Sequence, residues 1–250
     1  MCIVGDVKNP SQSGILTGSC KGECWISDDK MLAVTYSYPV GGCGVFGKIE
    51  SNEKAKKFFD NVFNNLKELD IHEFEFSAED VTLQEQLLSI FQKRKIEHEL
   101  EYSYELYENT NVEIAVPNGY LVELVTEQTL HKGYENEGML TNRLAECWNS
   151  LDDFFEKSFS FIAVKDKEIV GIIFGSGRYE KYIPIDIEVL KEHRKRGVAK
   201  ALTSAFVKHC MKCNLVPHWD CVESNKGSIH LAESVGFEKI KERPFYWFDI

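Results

Sequence analysis

Residues 183–202, IPIDIEVLKEHRKRGVAKAL, constrain the fold of this 250-residue chain more than any other stretch. Up to Val189, apolar residues alternate with acidic residues or proline, which is the two-residue period of a β-strand. The chain then turns basic around a single glycine, Gly197. From Val198 its apolar residues recur every three or four positions, the period of an amphipathic helix. The stretch therefore predicts a strand, a cationic glycine turn and a helix in succession.

A turn of this kind predicts an anion site. The first amides of a helix have no partner inside it, and the macrodipole adds partial positive charge there, so backbone N–H groups can hold a phosphate. Basic side chains surround the glycine: Lys191, Arg194, Lys195, Arg196 and Lys200. We expect a phosphate-bearing ligand rather than a solvated charged loop, because a glycine, a small residue and a helix start coincide.

The composition excludes several classes of function. A net charge of −11 argues against a nucleic-acid partner, which would need a basic face, and suits cationic small molecules better. No apolar run approaches the ~18 residues of a membrane span, and the N-terminus lacks a secretion signal. We therefore expect a cytoplasmic protein without a membrane partner, whose eight cysteines are reduced thiols.

Hydrophobic periods and turn signals divide the chain into two α/β halves. After a loosely held lead-in over residues 1–12, the first half is predicted to run β-β-β-α-β-α-β: 14–27, 31–38, 42–49, 51–66, 71–76, 82–93 and 96–107. Residues 109–117 are predicted to be a linker. The second half is predicted to run β-α-α-β-β-β-α-β-α-β-β: 120–125, 127–157 in two helical pieces, 159–164, 168–175, 183–189, 198–213, 215–221, 225–235, 237–241 and 245–250.

The two halves share an order of elements. Each places strands before a long helix, which is followed by a strand, a helix and closing strands. The segment FFDNVFNNLKELDIHEFEFSAEDVTLQEQLLSIF corresponds in this order to AFVKHCMKCNLVPHWDCVESNKGSIHLAESVGF. The shared order predicts a duplicated unit whose first copy has decayed, and the alternative is a pair of unrelated α/β modules.

The residues around Gly197 carry a resemblance to a known superfamily. Residues 194–199, RKRGVA, match the (Gln/Arg)-x-x-Gly-x-(Gly/Ala) motif at a strand-to-helix junction and resemble GCN5-related N-acetyltransferases. Residues 183–240 also resemble the zwittermicin A acetyltransferase branch, through IDIEV, RGVAKAL, PHWDC and NKGSIHLAESVGF. The resemblance implies an α/β (α+β) fold, with a mixed, mostly antiparallel sheet and flanking helices, over an acetyltransferase domain at 113–250. Residues 1–112 would form a smaller α/β domain, a degenerate copy of the same fold.

The resemblance implies that acetyl-CoA binds at the glycine turn as co-substrate. Its pyrophosphate would lie on the backbone amides of residues 196–200, with basic side chains adding charge. Gly197 permits close approach, so Gly197→Val should abolish binding. Residues of the preceding strand would pair with the pantetheine arm, and an amide there would polarise the thioester carbonyl. The implied cofactor-binding residues are Ile187, Val189, Arg194, Lys195, Arg196, Gly197, Val198, Ala199, Lys200, Asn225 and Ser228.

Direct acetyl transfer needs a proton acceptor for the amine and a proton donor for the leaving thiolate. Many relatives carry a tyrosine acid five residues before a Gly-Phe pair, where this chain has Ala232. The alternatives are Ser228, His230 or Tyr246, or a thiolate that leaves without a dedicated acid because the pKa of a free thiol is only ~8.5.

The base is equally open at this stage. Relatives carry a carboxylate on the motif strand at positions that hold Ile183, Ile185 or Ile187 here. Asp186 and Glu188 have the opposite strand parity, and a carboxylate in a central strand must be partnered or functional because its burial is costly. Asp220 on the next predicted strand is a third candidate, with a hydrogen bond to a neighbouring turn as its structural alternative.

One cluster has the residue types of a zinc site without its geometry: His209, Cys210, Cys213, His218 and Cys221. Cys210 and Cys213 fall on the apolar side of the predicted helix, and His218 and Cys221 have opposite strand parity. Because these positions do not bring four ligands to one point, we expect the side chains to pack in the core and to bind no metal.

Together these features predict an N-acetyltransferase that acts by direct amine attack on the thioester of acetyl-CoA. The expected acceptor is a primary amine of a small molecule, with a cationic antibiotic or a polyamine-like metabolite as examples, and the enzyme is expected to be a monomer or homodimer. Two alternatives remain: a protein or peptide N-acetyltransferase, and a catalytically silent acyl-CoA-binding module, which Ala232 and the apolar motif strand favour.

Overall fold

A computed structural model describes residues 3–106 and 114–250. The helices are α1 (Pro10–Leu16), α2 (Asn52–Glu68), α3 (Val81–Ile90), α4 (Glu137–Cys147), α5 (Leu151–Lys157), α6 (Val198–Lys212) and α7 (Lys226–Ser234). The strands are β1 (Glu23–Ile26), β2 (Leu32–Tyr36), β3 (Cys43–Gly47), β4 (Glu73–Ser77), β5 (Glu97–Leu106), β6 (Leu121–Leu124), β7 (Ser160–Lys165), β8 (Glu168–Gly175), β9 (Tyr182–Val189), β10 (Val216–Val222) and β11 (Phe237–Asp249). Residues 109–113 of the predicted linker lie outside the described residues.

The strands form one sheet in the order β1-β2-β3-β4-β11-β5-β10-β9-β8-β7-β6. Most neighbours are antiparallel, and the parallel pairs are β3 with β4 and β9 with β10. Helices α2 and α3 cover the β1–β4 end, and α6 and α7 cover part of the other end. The expected mixed, mostly antiparallel sheet with flanking helices is confirmed.

The two halves repeat one series of elements and exchange their last strands. β1 to β5 with α2 and α3 follow the same order as β7 to β11 with α6 and α7. However, β5 of the first series pairs with β10 of the second, and β11 of the second pairs with β4 of the first. β5 and β11 also pair with each other along ten positions, from Leu106–Phe237 to Glu97–Trp247. Backbone hydrogen bonding therefore crosses the 112/113 boundary, and the division into two domains stays a prediction.

Local signals placed several elements correctly. Ser51 caps α2, because its side chain accepts a hydrogen bond from the Lys54 amide. At the end of α6, Asn214 has a φ of 54°, and the Leu215 amide donates to the carbonyl of Cys210 at 2.9 Å. This is a left-handed helix ending, a conformation that asparagine tolerates better than most residues.

The start of the chain differs from the prediction. Residues 10–16 form α1 rather than part of a strand over 14–27, and Asn9 and Gln12 are buried rather than part of a loose lead-in. Asn9 caps α1 through its side chain, and Pro10 occupies the first helical position, where its missing N–H costs nothing. A β-carbon at Gly14 would lie 2.5 Å from the Arg178 carbonyl oxygen, so α1 packs directly on the loop between β8 and β9. A seven-residue helix shows too little periodicity for the sequence to reveal it.

The end of the chain also differs. The predicted strands 237–241 and 245–250 are one strand, β11, with an irregularity in register between Lys239 and Lys241. Pairing with β4 begins only at Tyr246, so Pro244 lies where β11 is paired on one side, and the missing N–H of the proline is tolerated there. Within residues 3–106 and 114–250, every helix is too short or too polar to cross a bilayer.

Candidate active site and cofactor cleft

The sheet opens between β9 and β10. Their parallel pairing covers three positions and ends where Pro184 lies opposite His218. Beyond that point β10 continues along β5, whereas β9 continues along β8, so the two strands part. A gap therefore separates residues 185–189 of β9 from the rest of β10.

The backbone of β9 presents hydrogen-bonding groups to this gap. The Leu190 amide donates to Val170 and the Pro184 carbonyl accepts from Ser176, so even-numbered residues are bonded toward β8. Because backbone groups alternate sides along a strand, the N–H and C=O groups of Ile187 and Val189 point the other way, into the gap. One of them is used: Arg194 Nε donates to the Val189 carbonyl at 2.8 Å.

Helix α6 begins at the far end of β9. Gly197 is its N-cap residue, with a φ of +85°, a left-handed conformation that glycine adopts without strain. No side chain among the described residues caps the helix, and its first turn holds no acidic residue. Lys195 and Arg196 beside it are exposed. The helix start therefore combines free amides with positive charge, as an anion site requires.

The corresponding helix of the first half lacks these features. The start of α2 is closed by the Ser51 side chain, which occupies the Lys54 amide. Glu50 precedes it and Glu53 lies in its first turn, so negative charge surrounds its amides. Of the two equivalent helix starts, the one in α6 is suited to a phosphate.

A cleft of about 300 Å³ lies on the opposite face of the sheet from α6, where the two halves meet. Residues of both halves line it: Gln12 of α1, Glu101 of β5, Arg143 of α4, Asp186 of β9, and His218 and Asp220 of β10. A volume of this size suits a small molecule.

A buried charge network forms one wall of the cleft. Arg243 of β11 donates from Nε to Glu101 Oε2 at 2.7 Å and from Nη1 to Ser103 Oγ at 2.7 Å. Ser103 donates to Asp220 Oδ1 at 2.5 Å, and Arg243 Nη2 lies 3.4 Å from the same oxygen. His218 Nε2 lies 3.0 Å from Asp220 Oδ2. Strands from both halves thus fix the Asp220 carboxylate on both oxygens.

The network keeps Asp220 ionised. Burial alone would raise the pKa of this carboxyl, but the attraction of His218 and Arg243 and the hydrogen bonds from His218 and Ser103 outweigh it, so the pKa lies below its usual value. Burial raises the pKa of Glu101. The positive charge of Arg243 lowers it and the negative charge of Asp220 raises it further, so the net shift is upward. The Arg243 guanidinium therefore forms ion pairs with both the Glu101 and the Asp220 carboxylates.

The two candidate bases of β9, Asp186 and Glu188, have different surroundings. Asp186 pairs with Arg143 of α4 and lines the cleft. Burial raises the pKa of Asp186, and Arg143 offsets part of that shift. Glu188 is exposed and lies outside the residues that line the cleft. Its catalytic role stays a prediction, as does that of Asp186.

Ser228 lies on the opposite face of β10 from Asp220. Its hydroxyl accepts a hydrogen bond from Trp219 Nε1 at 2.8 Å, and its amide donates to the Asn225 side chain, which caps α7. Because Trp219 and Asp220 are neighbours on one strand, their side chains point to opposite faces. Asn225 also lines the cleft, so it lies within reach of a ligand there.

The remaining acid candidates lie away from the cleft. Tyr246 is buried in the core of the first half, where it accepts a hydrogen bond from Gln84 at 3.2 Å. His230 is exposed on α7. Ala232 is fully buried against Trp219 and Phe237, so a larger side chain would not fit there unchanged.

The zinc-like residues are dispersed. His209 packs against Phe159 with 4.3 Å between ring centroids, Cys210 is buried in the core beneath α6, and Cys213 is exposed. His218 is paired with Asp220. Across the described parts of the chain, no group of three or more His, Cys, Asp or Glu side chains could hold a metal ion.

Sequence reasoning missed part of the charge network. In the sequence, His218 belongs only to the zinc-like cluster, and Glu101, Ser103 and Arg243 are not among the predicted site residues. One signal was available: the pairs Glu101 with Ser103, and His218 with Asp220, are spaced by two residues and so share a face of a strand. Their proximity depends on the strand exchange, which local patterns do not encode.

A large, mostly antiparallel sheet that opens between two parallel strands, with a glycine-started helix at the opening, defines an acetyltransferase type of α/β fold. The family model described as GNAT acetyltransferase matches residues 5–246. The chain therefore belongs to the GNAT acetyltransferase family.

Similar proteins agree with this assignment. An uncharacterized N-acetyltransferase, YdfB of Bacillus subtilis (strain 168), is 35% identical over 106 residues, 41% of this chain and 39% of that protein. The match thus spans well under half the length of this curated relative. A GCN5-related N-acetyltransferase-like protein from Streptococcus suis has a TM-score of 0.64 at 15% identity, over 91% of this chain and 88% of its own. A tandem GNAT protein from the clavulanic acid biosynthesis pathway has a TM-score of 0.59 at 12% identity, over 98% and 90%. Both structures share the fold.

Proposed function

We propose that the protein transfers the acetyl group of acetyl-CoA to a primary amine of a small molecule, by direct attack of the amine on the thioester. The observation that carries the proposal is the parting of β9 and β10 beyond Pro184 and His218. The gap joins the start of α6 on one side of the sheet to the cleft on the other. An extended pantetheine arm laid along β9 would pair with the backbone groups of Ile187 and Val189 and deliver the thioester to the cleft.

The pyrophosphate is proposed to lie on the amides of residues 196–200. Gly197 lets the phosphate approach the backbone, and Lys195 and Arg196 are exposed where they can add charge. Arg194 is held against the Val189 carbonyl and would fix the turn relative to the strand. Val198, Ala199 and Lys200 would supply helix amides, and Asn225 and Ser228 would contact the arm from α7.

The cleft supports a small cationic acceptor. Its volume of about 300 Å³ is closed on one side by α1 and by loops of the first half. The three carboxylates along its walls, those of Asp186, Asp220 and Glu101, are paired with only two guanidiniums, those of Arg143 and Arg243, and the excess negative charge favours a cation in the acceptor. The similarity of residues 183–240 to zwittermicin A acetyltransferases supports an antibiotic or a polyamine-like metabolite as the acceptor.

The test is incubation with acetyl-CoA and a panel of acceptors, with thiol release as the rate and mass spectrometry to identify the acetylated product. The panel contains polyamines, polyamino sugars, amino acids, and peptides with a free N-terminus or lysine. We expect release with at least one small polyamine. Faster release with peptides would favour a protein acceptor. Tight CoA binding by calorimetry without turnover on any amine would favour a silent binding module.

A further inference from the structure

We propose that His218 is the general base of the acetyl transfer, accepting the proton of the acceptor amine on Nδ1, and that Asp220, Ser103 and Arg243 position its ring. The inference rests on the proposed function and places the base on β10 rather than on β9. His218 is fully buried, and among the described residues nothing offers its Nδ1 a hydrogen-bond partner. A buried polar atom left unpartnered is unfavourable, so a ligand that bonds to that atom would recover stability.

The position of His218 fits the role. It is the last residue of β10 that pairs with β9, so it lies where the gap between the strands opens. It also lines the cleft beside Asp186. A thioester delivered along β9 and an amine held in the cleft would therefore meet next to the ring.

The network sets the tautomer of the ring. Asp220 is an ionised carboxylate that can only accept hydrogen bonds, so His218 Nε2 carries the proton that it receives at 3.0 Å. The lone pair is then on Nδ1, away from Asp220. Asp220 is itself a poor base, because both its oxygens are engaged and its pKa is lowered. It acts through His218 by orienting the ring and stabilising the imidazolium.

The reaction then balances without a tyrosine acid. The amine nitrogen attacks the thioester carbonyl carbon, and a C–N bond forms as the amine proton passes to His218 Nδ1. The C–S bond breaks, its electron pair leaves on sulfur, and the imidazolium returns the proton to the thiolate. The products are the amide and the CoA thiol, and His218 ends neutral as it began. One residue therefore serves as base and then acid, which accounts for Ala232 at the usual acid position.

The direct test is His218→Gln, which keeps a donor for Asp220 and removes the base. We expect kcat to fall by about a hundredfold or more, the usual contribution of a general base, with the Kd for CoA unchanged within about twofold. The acidic limb of the kcat/KM against pH profile should also disappear. A kcat within about threefold of wild type, or an unchanged acidic limb, overturns the inference.

His218 has several titratable or charged neighbours, and each bears on how a pH profile is interpreted. The titratable and charged groups that face the ring or the cleft include Asp220 and Cys221 of β10, Glu101 and Glu105 of β5, Arg243 of β11, Asp186 of β9, Arg143 of α4 and Cys43 of β3; Glu105 lies directly opposite His218 in the strand register. Burial raises the pKa of both thiols, so neither titrates in the acidic limb.

Ser103→Ala tests positioning. The hydroxyl links Arg243 to Asp220, so we expect its loss to shift the acidic limb of the profile and lower kcat, with rescue by Ser103→Thr. Ser160→Ala is the matched control: Ser160 is equally buried and donates to the Ile173 carbonyl at 2.9 Å, away from the cleft. If both alanine variants leave the profile unmoved, positioning by Ser103 is refuted.

Two outcomes distinguish a failure of this inference from a failure of the proposed acetyltransferase function. If wild-type protein releases no thiol with any amine, the proposed function fails and the inference falls with it. If wild type turns over and His218→Gln turns over equally, only the inference fails. Should that variant not fold, ¹⁵N NMR of histidine-labelled wild type decides. We expect a neutral Nε2–H tautomer for His218, and an Nδ1–H tautomer would overturn the inference because the lone pair would then face Asp220.

Discussion

Ser103 Oγ donates a hydrogen bond of 2.5 Å to Asp220 Oδ1, and this contact joins β5 of the first half to β10 of the second. The two residues lie opposite each other in the strand register. The wall of the cleft is therefore assembled from both halves of the chain, and the first half contributes to the site although its own helix start is unsuited to a phosphate.

The strand exchange predicts that residues 113–250 will not fold normally alone. Without β5, both β10 and β11 lose their antiparallel partner and expose edges that favour aggregation. Co-expression with residues 1–112 should restore a stable complex. Size-exclusion chromatography and circular dichroism of the separate and combined segments test this. A soluble, monomeric 113–250 segment with the native spectrum would contradict it.

Arg243→Met should destabilise the protein strongly. The guanidinium is 4% exposed and forms ion pairs with Glu101 and Asp220 and also with Glu79, whose Oε1 lies 3.1 Å away. Its removal leaves buried carboxylates uncompensated, so we expect a loss of about 3–5 kcal/mol in urea unfolding. Lys239→Met on the same strand is the control, because its pair with Glu242 is exposed and should be worth less than about 1 kcal/mol. Equal effects would refute the role of the network.

Asp220→Asn should cost stability in a pH-dependent way. The pKa of Asp220 is lower in the folded than in the unfolded protein, so its stabilisation is complete above the unfolded value of ~3.9 and is lost as the pH falls toward the folded value. We expect the variant to lose about 2 kcal/mol at pH 7. The difference from wild type should shrink below pH 4 by up to about 1.4 kcal/mol per pH unit. Urea unfolding at several pH values measures both.

The control for that series is Asp60→Asn, at an exposed position of α2, which should leave the free energy of unfolding within about 0.5 kcal/mol of wild type at each pH. A cost for Asp220→Asn that does not change on acidification would show that Asp220 is not preferentially ionised in the folded state.

The two acids of β9 should behave differently. Asp186→Asn leaves Arg143 facing the cleft without its main partner, so we expect the KM of a cationic amine to rise at least about tenfold, a cost of ~1.4 kcal/mol. Glu188→Gln should change kcat/KM less than about twofold, because the side chain is exposed away from the cleft. Steady-state kinetics on both variants settle the matter. A large loss with Glu188→Gln would support Glu188 as the base.

Sequence reasoning located the parts of the molecule that local chemistry determines. The strand, glycine turn and helix at residues 183–202 and the cap at Ser51 are set by residues within one or two turns of each other. The exchange of β5 and β11 is not set by nearby residues, because a strand in which apolar and polar residues alternate could pair with several neighbours. The roles of Arg243 and His218 depend on that exchange, so sequence patterns placed Asp220 among the candidates without revealing its partners. Helix α1 is not predictable from the sequence, because it is short and packs on a loop more than 160 residues away.

Gly197→Ala should weaken CoA binding by more than tenfold while the fold persists. An alanine at a φ of +85° is strained by about 1–2 kcal/mol, and its methyl group would stand before the amides that the pyrophosphate needs. Gly133→Ala is the matched control, because Gly133 has a φ of +65° with open space around it and lies in a loop before α4. Both variants should lose similar thermal stability, and calorimetry should show a weaker Kd for CoA only in Gly197→Ala. If the two variants bind CoA equally well, the pyrophosphate does not lie on the start of α6.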